Sequence, residues 1–351
     1  MKSASEAKIA IWGAGAMGTV LGALLTKGGL KNVDFITRNT AHLQGLKDRG
    51  ARIVCEAEKT EFSVPVHALH PTEVTEVYDI VFLMTKQREN AKTLQTVLPH
   101  LAADGLVCTT QNGLPERSVA EIVGAERTYG AVTSYGATFL GDGAVSLTSK
   151  FDGMTMEVGG YENDGKGLPL LVEILSCAGN AVDNGSFVNV SDNLLGARWS
   201  KLAINAAFSG LSVMTGLTFG ELAKKRKSRK IALGILRECI DVAEGLGVRI
   251  APMQGHDMRK LLGGRTPPKR LFAYLVLPYA MRKHQKLRSG MLKDLLGGRK
   301  CEVDFINGLV CEEGKRANVE TPLCATVVEI VHGIENGLYE LSYRNVDFFV
   351  R

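Results

Sequence analysis

The sequence has no long hydrophobic run. Nowhere does it reach the stretch of about 20 apolar residues that a membrane-spanning helix needs. Its opening, MKSASEAKIAIWGAGAMG, holds one short apolar run that ends in glycines, which is not a secretory pattern. A soluble cytoplasmic protein with no membrane association is therefore expected. Clustered cysteines are missing as well. The seven stand singly at positions 55, 108, 177, 239, 301, 311 and 324, an odd number with no close pair at ligand spacing. That argues for a reducing compartment, against a metal site, and for buried apolar thiols. Nor is there a strong charge of one sign. The 42 basic and 37 acidic residues leave +5, too little and too dispersed for nucleic acid, while a small anionic ligand fits equally well. No internal repeat or low-complexity tract breaks the chain.

What is present is enough material for two ordinary domains: 351 residues, 45% of them hydrophobic and 23% charged. In the first half, KIAIWG, VDFITR, YDIVFLMTK and GLVCTTQNG read as strands rich in β-branched and aromatic residues, each closing on a polar or glycine turn. MGTVLGALLTKGG and ENAKTLQTVLPHL between them have helical spacing. This alternation predicts an α/β fold with a parallel, doubly wound, Rossmann-type sheet. The glycine-rich stretch from 128 to about 160 predicts further strands in hairpins, followed by a helix at GLPLLVEILSCAGN and a short strand at NGSFVNVS. From Asp192 onward the pattern is nearly all helical, with ALGILRECIDVAEGLG the clearest amphipathic segment. The expected organisation is a nucleotide-binding domain over 1–192 and an all-helical domain over 193–351. Residues 254–290 stand apart, since basic groups flank the apolar run LFAYLVLPYAM. A membrane-surface or partner-binding segment is one reading and a helix with solvated ends the commoner one.

IWGAGAMG places Gly13, Gly15 and Gly18 in G-x-G-x-x-G order between a strand and a helix, with a second strand at the right distance. In that context Gly13 permits the tight turn, Gly15 lets a pyrophosphate approach the backbone, and Gly18 lets helix and strand pack closely. Ala14, Ala16 and Met17 complete the loop whose amides would meet the phosphates. At the end of the second strand an NAD site usually offers a carboxylate, but this chain offers Arg38, beside Asn39 and Thr40. Arginine can pair a 2′-phosphate bidentately, so NADPH is the expected cofactor. Lys86 ends the third strand, and Asn112 with Gly113 ends the fourth. Both strand ends lie at the edge where such sheets bind ligands, although Asn-Gly is also a common turn.

In the second half, ARWSKLAINAAFSG puts Lys201, Asn205 and Ser209 four residues apart, in one slowly drifting helical row. On its own that row is more often a solvated edge than a catalytic wall. Glu302, Asp304 and Asn307 fall in a half-apolar helix, where carboxylates usually just complement the helix dipole.

Taken with GAGAMG at 13–18, Arg38, TK at 85–86, QNG at 111–113, WSKLAIN at 199–205, MLKDLLGGRKCEVDFING at 291–308 and TP at 321–322, the chain resembles the ketopantoate reductases (2-dehydropantoate 2-reductases) over nearly its whole length. The resemblance implies a Rossmann domain followed by a helical one. It implies that Lys201 protonates the ketone oxygen as NADPH delivers hydride, and that Asn205 binds substrate. Asn112 would reach both nicotinamide and substrate, while Arg38 and Lys86 would form the basic pair near the adenosine phosphate. Glu302 would lie beside the nicotinamide ribose and the reaction centre, and Ala137 in SYGATF would make a backbone contact to the cofactor. A lysine ordinarily titrates near 10.4, so acid catalysis at neutral pH requires its pKa to be lowered; burial would lower it and a close Glu302 would oppose that.

Some positions depart from the family. Ser209 stands where a second asparagine is usual, and Phe219 in LTFGEL replaces a further asparagine. The serine expected before ML is Gly290, with Ser289 one place earlier. Ser209 and Ser289 are the remaining polar candidates for substrate binding. Losing designed hydrogen-bond partners discriminates strongly against the old substrate. The expected activity is reduction of a 2-oxo acid, ketopantoate first and otherwise one with a more apolar side chain, as Phe219 suggests. A 3-hydroxyacid dehydrogenase fits GAGAMG and Lys-x-x-x-Asn but not Arg38 or EVDFING. A non-catalytic NADPH sensor does not explain Lys201, Asn205 and Glu302. A small anionic 2-oxo acid is the expected partner, with a homodimer left open.

Overall fold

The computed structural model describes residues 2–252 and 256–349. Contacts divide the chain into two compact units. One runs to Gln111 and resumes over Pro115–Leu194; the other holds Asn112–Leu114 and the chain from Leu195 onward.

The strands of the first unit are β1 (Ile9–Trp12), β2 (Val33–Ile36), β3 (Ala51–Cys55), β4 (Thr60–Val64), β5 (His67–Leu69), β6 (Tyr78–Leu83), β7 (Leu101–Thr109), β8 (Thr128–Thr133), β9 (Ala137–Gly141), β10 (Ala144–Leu147), β11 (Met156–Gly160) and β12 (Val188–Val190). Its helices are α1 (Ala16–Lys27), α2 (Thr40–Arg49), α3 (Asn90–Val97), α4 (Glu116–Val123) and α5 (Leu168–Asn180). The main sheet has the order β12-β11-β8-β7-β6-β1-β2-β5. From β5 to β8 every pairing is parallel. β1 is wholly buried and β6 nearly so, which is why both read as continuous apolar runs. Their register is level: Trp12 pairs with Ile36 on one side and Leu83 on the other, and Leu83 pairs with Thr109. The loops after β1, β2, β6 and β7 therefore leave the sheet at one edge. Strand order reverses at β1, between β2 and β6, and this is where an open parallel sheet forms its ligand crevice.

The stretch from 128 to 160 supplies the expected strands, but not all to one sheet. β8 and β11 join the main sheet, whereas β9 and β10 pair as a hairpin in a second sheet of order β4-β3-β10-β9. All four of its strands pack on α1. Short β3, β4 and β5 are not visible in the sequence pattern, because β4 is mostly exposed and lacks an apolar face.

The second unit runs through α6 (Leu194–Ile204), a π-helical turn over Asn205–Ser209, α7 (Gly210–Thr215), α8 (Phe219–Lys224), α9 (Arg226–Gly245), α10 (Met258–Leu262), α11 (Pro267–Ala280), α12 (Gly290–Leu296), α13 (Asn307–Ala317) and α14 (Pro322–Glu335). α9 is its axis. Ile235, Leu236, Cys239, Val242 and Ala243 line its buried stripe, and it packs against the π turn, α8, α13 and α14. The buried Glu238 accepts from the Leu323 and Cys324 amides at 2.7 and 2.9 Å, satisfying the open start of α14.

The basic and apolar segment singled out at 254–290 begins on two residues outside the described ones. The rest contains α11, whose Lys269 and Arg270 are solvated as expected. Its outward face is apolar, however: Leu271, Phe272, Leu275 and Tyr279 are exposed. No described helix is long and apolar enough to cross a membrane.

Candidate active site

The glycine loop has three different glycine environments. Gly13 has φ 103°, and a Cβ there would lie 2.6 Å from the Thr85 nitrogen, so the turn presses on the loop after β6. At Gly18 a Cβ would lie 2.5 Å from the Gly13 oxygen, which sets how closely α1 approaches β1. At Gly15 the space is open, the nearest atom being 4.0 Å away. Gly15 is also the N-cap of α1, no side chain caps that helix, and its first turn carries no acid. The amides of Gly13 and Ala14 bond to the Ile36 carbonyl at 3.0 and 2.9 Å and that of Gly15 to the Gly13 carbonyl at 2.7 Å, so the start of α1 beyond them, with the positive end of its dipole, is the part of the loop that suits a pyrophosphate.

Behind this loop is a lock that sequence reasoning missed. The Gly143 N–H donates to Nδ1 of His42 at 3.1 Å, which puts the ring proton on Nε2, 2.9 Å from the Thr19 hydroxyl. Thr19 in turn donates to the Ala14 carbonyl at 3.4 Å. Burial pushes the imidazole down to about 4, so it is neutral in this role.

At the end of β2, Asn39 is used locally: it caps α2 by accepting from the His42 amide at 3.0 Å. Arg38 is 61% exposed and lies 3.5 Å from Glu89. Lys86 is exposed at the end of β6. Beneath them Gln111 ties the strand ends together, donating to the Thr85 carbonyl at 2.8 Å and to Asn90 at 2.6 Å. QNG thus contains a positioning residue as well as Asn112. Ala137 starts β9 in the second sheet, where it joins Ala16 and Met17 at the margin of the core around α1.

In the helical unit, residues 196–215 are buried except for Lys201, Ile204, Asn205 and Ser209. The polar row is therefore the one accessible face of an otherwise buried rod. It is not a regular helix, since the Gly210 amide bonds to the Asn205 carbonyl in the i→i+5 pattern of a π turn. The Ala206 carbonyl accepts instead from Nδ2 of the fully buried Asn307, at 3.0 Å. Gly210 makes room for that side chain, as a Cβ there would lie 2.6 Å from the Asn307 Oδ1. Asn205 Nδ2 is 3.5 Å from Asn112 Oδ1, a long contact that brings two predicted site residues together. Burial pushes the Lys201 ammonium down to about 7, and the Arg198 charge acts in the same direction. Burial, one of the two effects weighed from the sequence, is the larger cause of this shift.

The EVDFING block differs from expectation. Glu302 and Asp304 are not inside a helix; they lie on the loop and short 3₁₀ turn before α13, and Asn307 is the first residue of that helix. α14 holds the loop from outside. The Cys301 amide donates to Glu335 at 2.8 Å, while His332 lies 2.8 Å from Asp304 and 3.3 Å from Glu335. Burial pulls the His332 pKa down, but the two carboxylates outweigh it and hold it above the usual range.

Two substrate-side residues sit differently from expectation. Ser289 is 2% exposed, and its hydroxyl caps α12 by accepting from the Met291 amide at 3.1 Å, a setting that differs from the accessible polar group expected. Phe219 is 8% exposed and packs on the Phe208 ring at 5.6 Å, so its apolar character belongs to the core and does not point to an apolar substrate. At Gly290 a Cβ would meet nothing. Among the described residues no three His, Cys, Asp or Glu gather for a metal.

Two family models match the chain. Residues 9–161 match the one described as ketopantoate reductase PanE/ApbA, and residues 193–335 match that family's C-terminal domain. A 2-dehydropantoate 2-reductase of Pyrococcus abyssi is 27% identical over 330 residues, covering 93% of this chain and 98% of that protein. Among solved structures, a PanE/ApbA family ketopantoate reductase from Ralstonia eutropha superposes with a TM-score of 0.77 at 24% identity, over 94% and 99% of the two chains. A D-mandelate dehydrogenase in complex with NADH superposes with a TM-score of 0.74 at 25% identity, over 95% and 100%. The chain belongs to the ketopantoate reductase family and is an oxidoreductase built on that family's nucleotide-binding and helical domains.

Proposed function

We propose that this protein reduces a 2-oxo acid to a 2-hydroxy acid with NADPH, and that the acid is 2-dehydropantoate. The supporting observation is a lysine held near pH 7 on the accessible row of a buried helix, four residues before Asn205. NADPH, when bound, supplies the hydride that reaches the carbonyl carbon. Lys201 gives its proton to the carbonyl oxygen as negative charge develops there, which an ammonium titrating near 7 does well in neutral solution. Asn205 and Asn112 offer amide donors that orient the substrate. Glu302, on a loop fixed by Glu335 and His332, would hold the nicotinamide ribose. The open approach at Gly15 takes the pyrophosphate, and Arg38 with Lys86 takes the 2′-phosphate. The curated 2-dehydropantoate 2-reductases to which the chain is similar support the same assignment. In this reading residues 1–192 hold the cofactor, residues 193–351 the catalytic groups, and the enzyme works in the cytoplasm.

A second reading, another 2-oxo acid with a larger apolar side chain, is favoured by Ser209 and Gly290 in place of the family's polar residues. It is favoured also by the similarity to a D-mandelate dehydrogenase, since mandelate is a 2-hydroxy acid with a phenyl side chain.

Replacing Lys201 by alanine tests the mechanism. Turnover should fall by about 10²- to 10⁴-fold while NADPH binding is kept. Turnover at the wild-type rate would refute the assignment of the acid.

A further inference from the structure

The end of β2 lacks the carboxylate that an NAD site usually offers, yet a carboxylate stands beside it. Glu89 closes the 3₁₀ turn Gln87–Glu89 that follows β6. Its Oε2 lies 3.5 Å from Nη1 of Arg38, and its Oε1 lies 3.7 Å from Nε of Arg88. The Glu89 side chain is 30% exposed, and it makes no capping bond to α3, of which it is the N-cap residue. It is neither a core group nor a helix cap, so its nearest charged neighbours give it its setting.

We infer that Glu89 is a specificity-determining residue for the cofactor, which works against the 2′-phosphate of NADPH and in favour of the 2′-hydroxyl of NADH. This rests on the proposed role of Arg38 as the 2′-phosphate partner. A phosphate that docks on Arg38 meets the Glu89 carboxylate, which repels it and competes with it for the same guanidinium. A ribose hydroxyl has the opposite experience, because it can donate to a carboxylate placed there. The acid of an NAD site is thus supplied from the loop after a different strand, and the Arg38–Glu89 pair reads both cofactors. Both side chains are solvated, so the effect is of modest size.

Dissociation constants for NADPH and NADH, measured by fluorescence titration on the wild type, Glu89→Gln and Arg38→Ala, test the inference, with thermal melting as a check on folding. Glu89→Gln should bind NADPH about fivefold more tightly and NADH no more tightly than the wild type. Arg38→Ala should lose most of its affinity for NADPH while binding NADH normally. If Arg38→Ala changes the NADPH to NADH ratio and Glu89→Gln leaves it as in the wild type, the inference is overturned and the Arg38 reading stands. If Arg38→Ala leaves the ratio unchanged, the Arg38 reading fails and the inference fails with it.

Discussion

The side-chain amide of Asn307 donates to the Ala206 carbonyl at 3.0 Å, inside the π turn that carries Asn205 and Ser209. A π turn takes a carbonyl out of the regular helical ladder, and a buried carbonyl without a partner costs about 1–3 kcal/mol. Asn307→Ala should therefore lower stability by that amount in urea denaturation. It should also reduce turnover more than cofactor affinity, because Asn205 loses its fixed position. A stable Asn307→Ala variant with wild-type kinetics would show that the π turn does not position the row.

Lys201 gives a pH dependence whose sign follows from its lowered pKa. In the proposed mechanism the acid form is needed for reduction, and it is lost as pH rises through about 7. The value of kcat/KM for reduction, which reports the ligand-free enzyme, should be level in mild acid and fall tenfold per pH unit well above 7. In the reverse direction, oxidation of the 2-hydroxy acid, the dependence should invert. Stopped-flow nicotinamide absorbance across the pH range reads both arms.

His42 contributes to stability in a defined window. Its folded value of about 4 lies below the ordinary 6.5, so between these values the unfolded chain binds a proton that the fold excludes. The contribution is complete above about 6.5 and is lost as pH falls toward 4. Between pH 7 and 5 the wild type should lose about 2 kcal/mol more than His42→Gln, which has no proton to gain at that position. Equal losses in urea titrations at the two pH values would mean that His42 is not buried neutral.

Gly290 offers a gain-of-function test. A side chain there meets nothing, so Gly290→Ser should change stability by less than about 0.5 kcal/mol. If the family's serine serves substrate binding from this position, the variant should raise kcat/KM for ketopantoate by about 3- to 10-fold, the worth of one net hydrogen bond. No change would indicate that the substrate is held elsewhere.

Much of this molecule is legible along the chain. The glycine loop could be read because its roles are local: turn, approach and packing all depend on residues within one strand-loop-helix unit. Four-residue spacing puts Lys201 and Asn205 on one helix face, but only the resemblance carried by the other blocks of the chain made that face a candidate site. Contacts made at a distance were hidden. The π turn depends on Asn307, a residue far along the chain. The loop of Glu302 looked helical because half-apolar spacing is the same in a helix and in a loop pinned by Glu335 and His332. Ser289 and Phe219 looked like pocket residues until burial placed one in a helix cap and the other in the core. Glu89 gave no signal, since a carboxylate four strands along in sequence becomes the neighbour of Arg38 only once β2 and β6 flank β1 in the sheet.

The central claim is 2-oxo acid reduction by NADPH. The most direct measurement is the initial rate of NADPH oxidation by the purified protein against a panel of 2-oxo acids, with ketopantoate and phenylglyoxylate included. Turnover of ketopantoate with the highest kcat/KM of the panel is predicted, and highest turnover of a bulkier apolar acid would select the second reading. Absence of NADPH oxidation with every 2-oxo acid, by protein that still binds NADPH, would contradict the account.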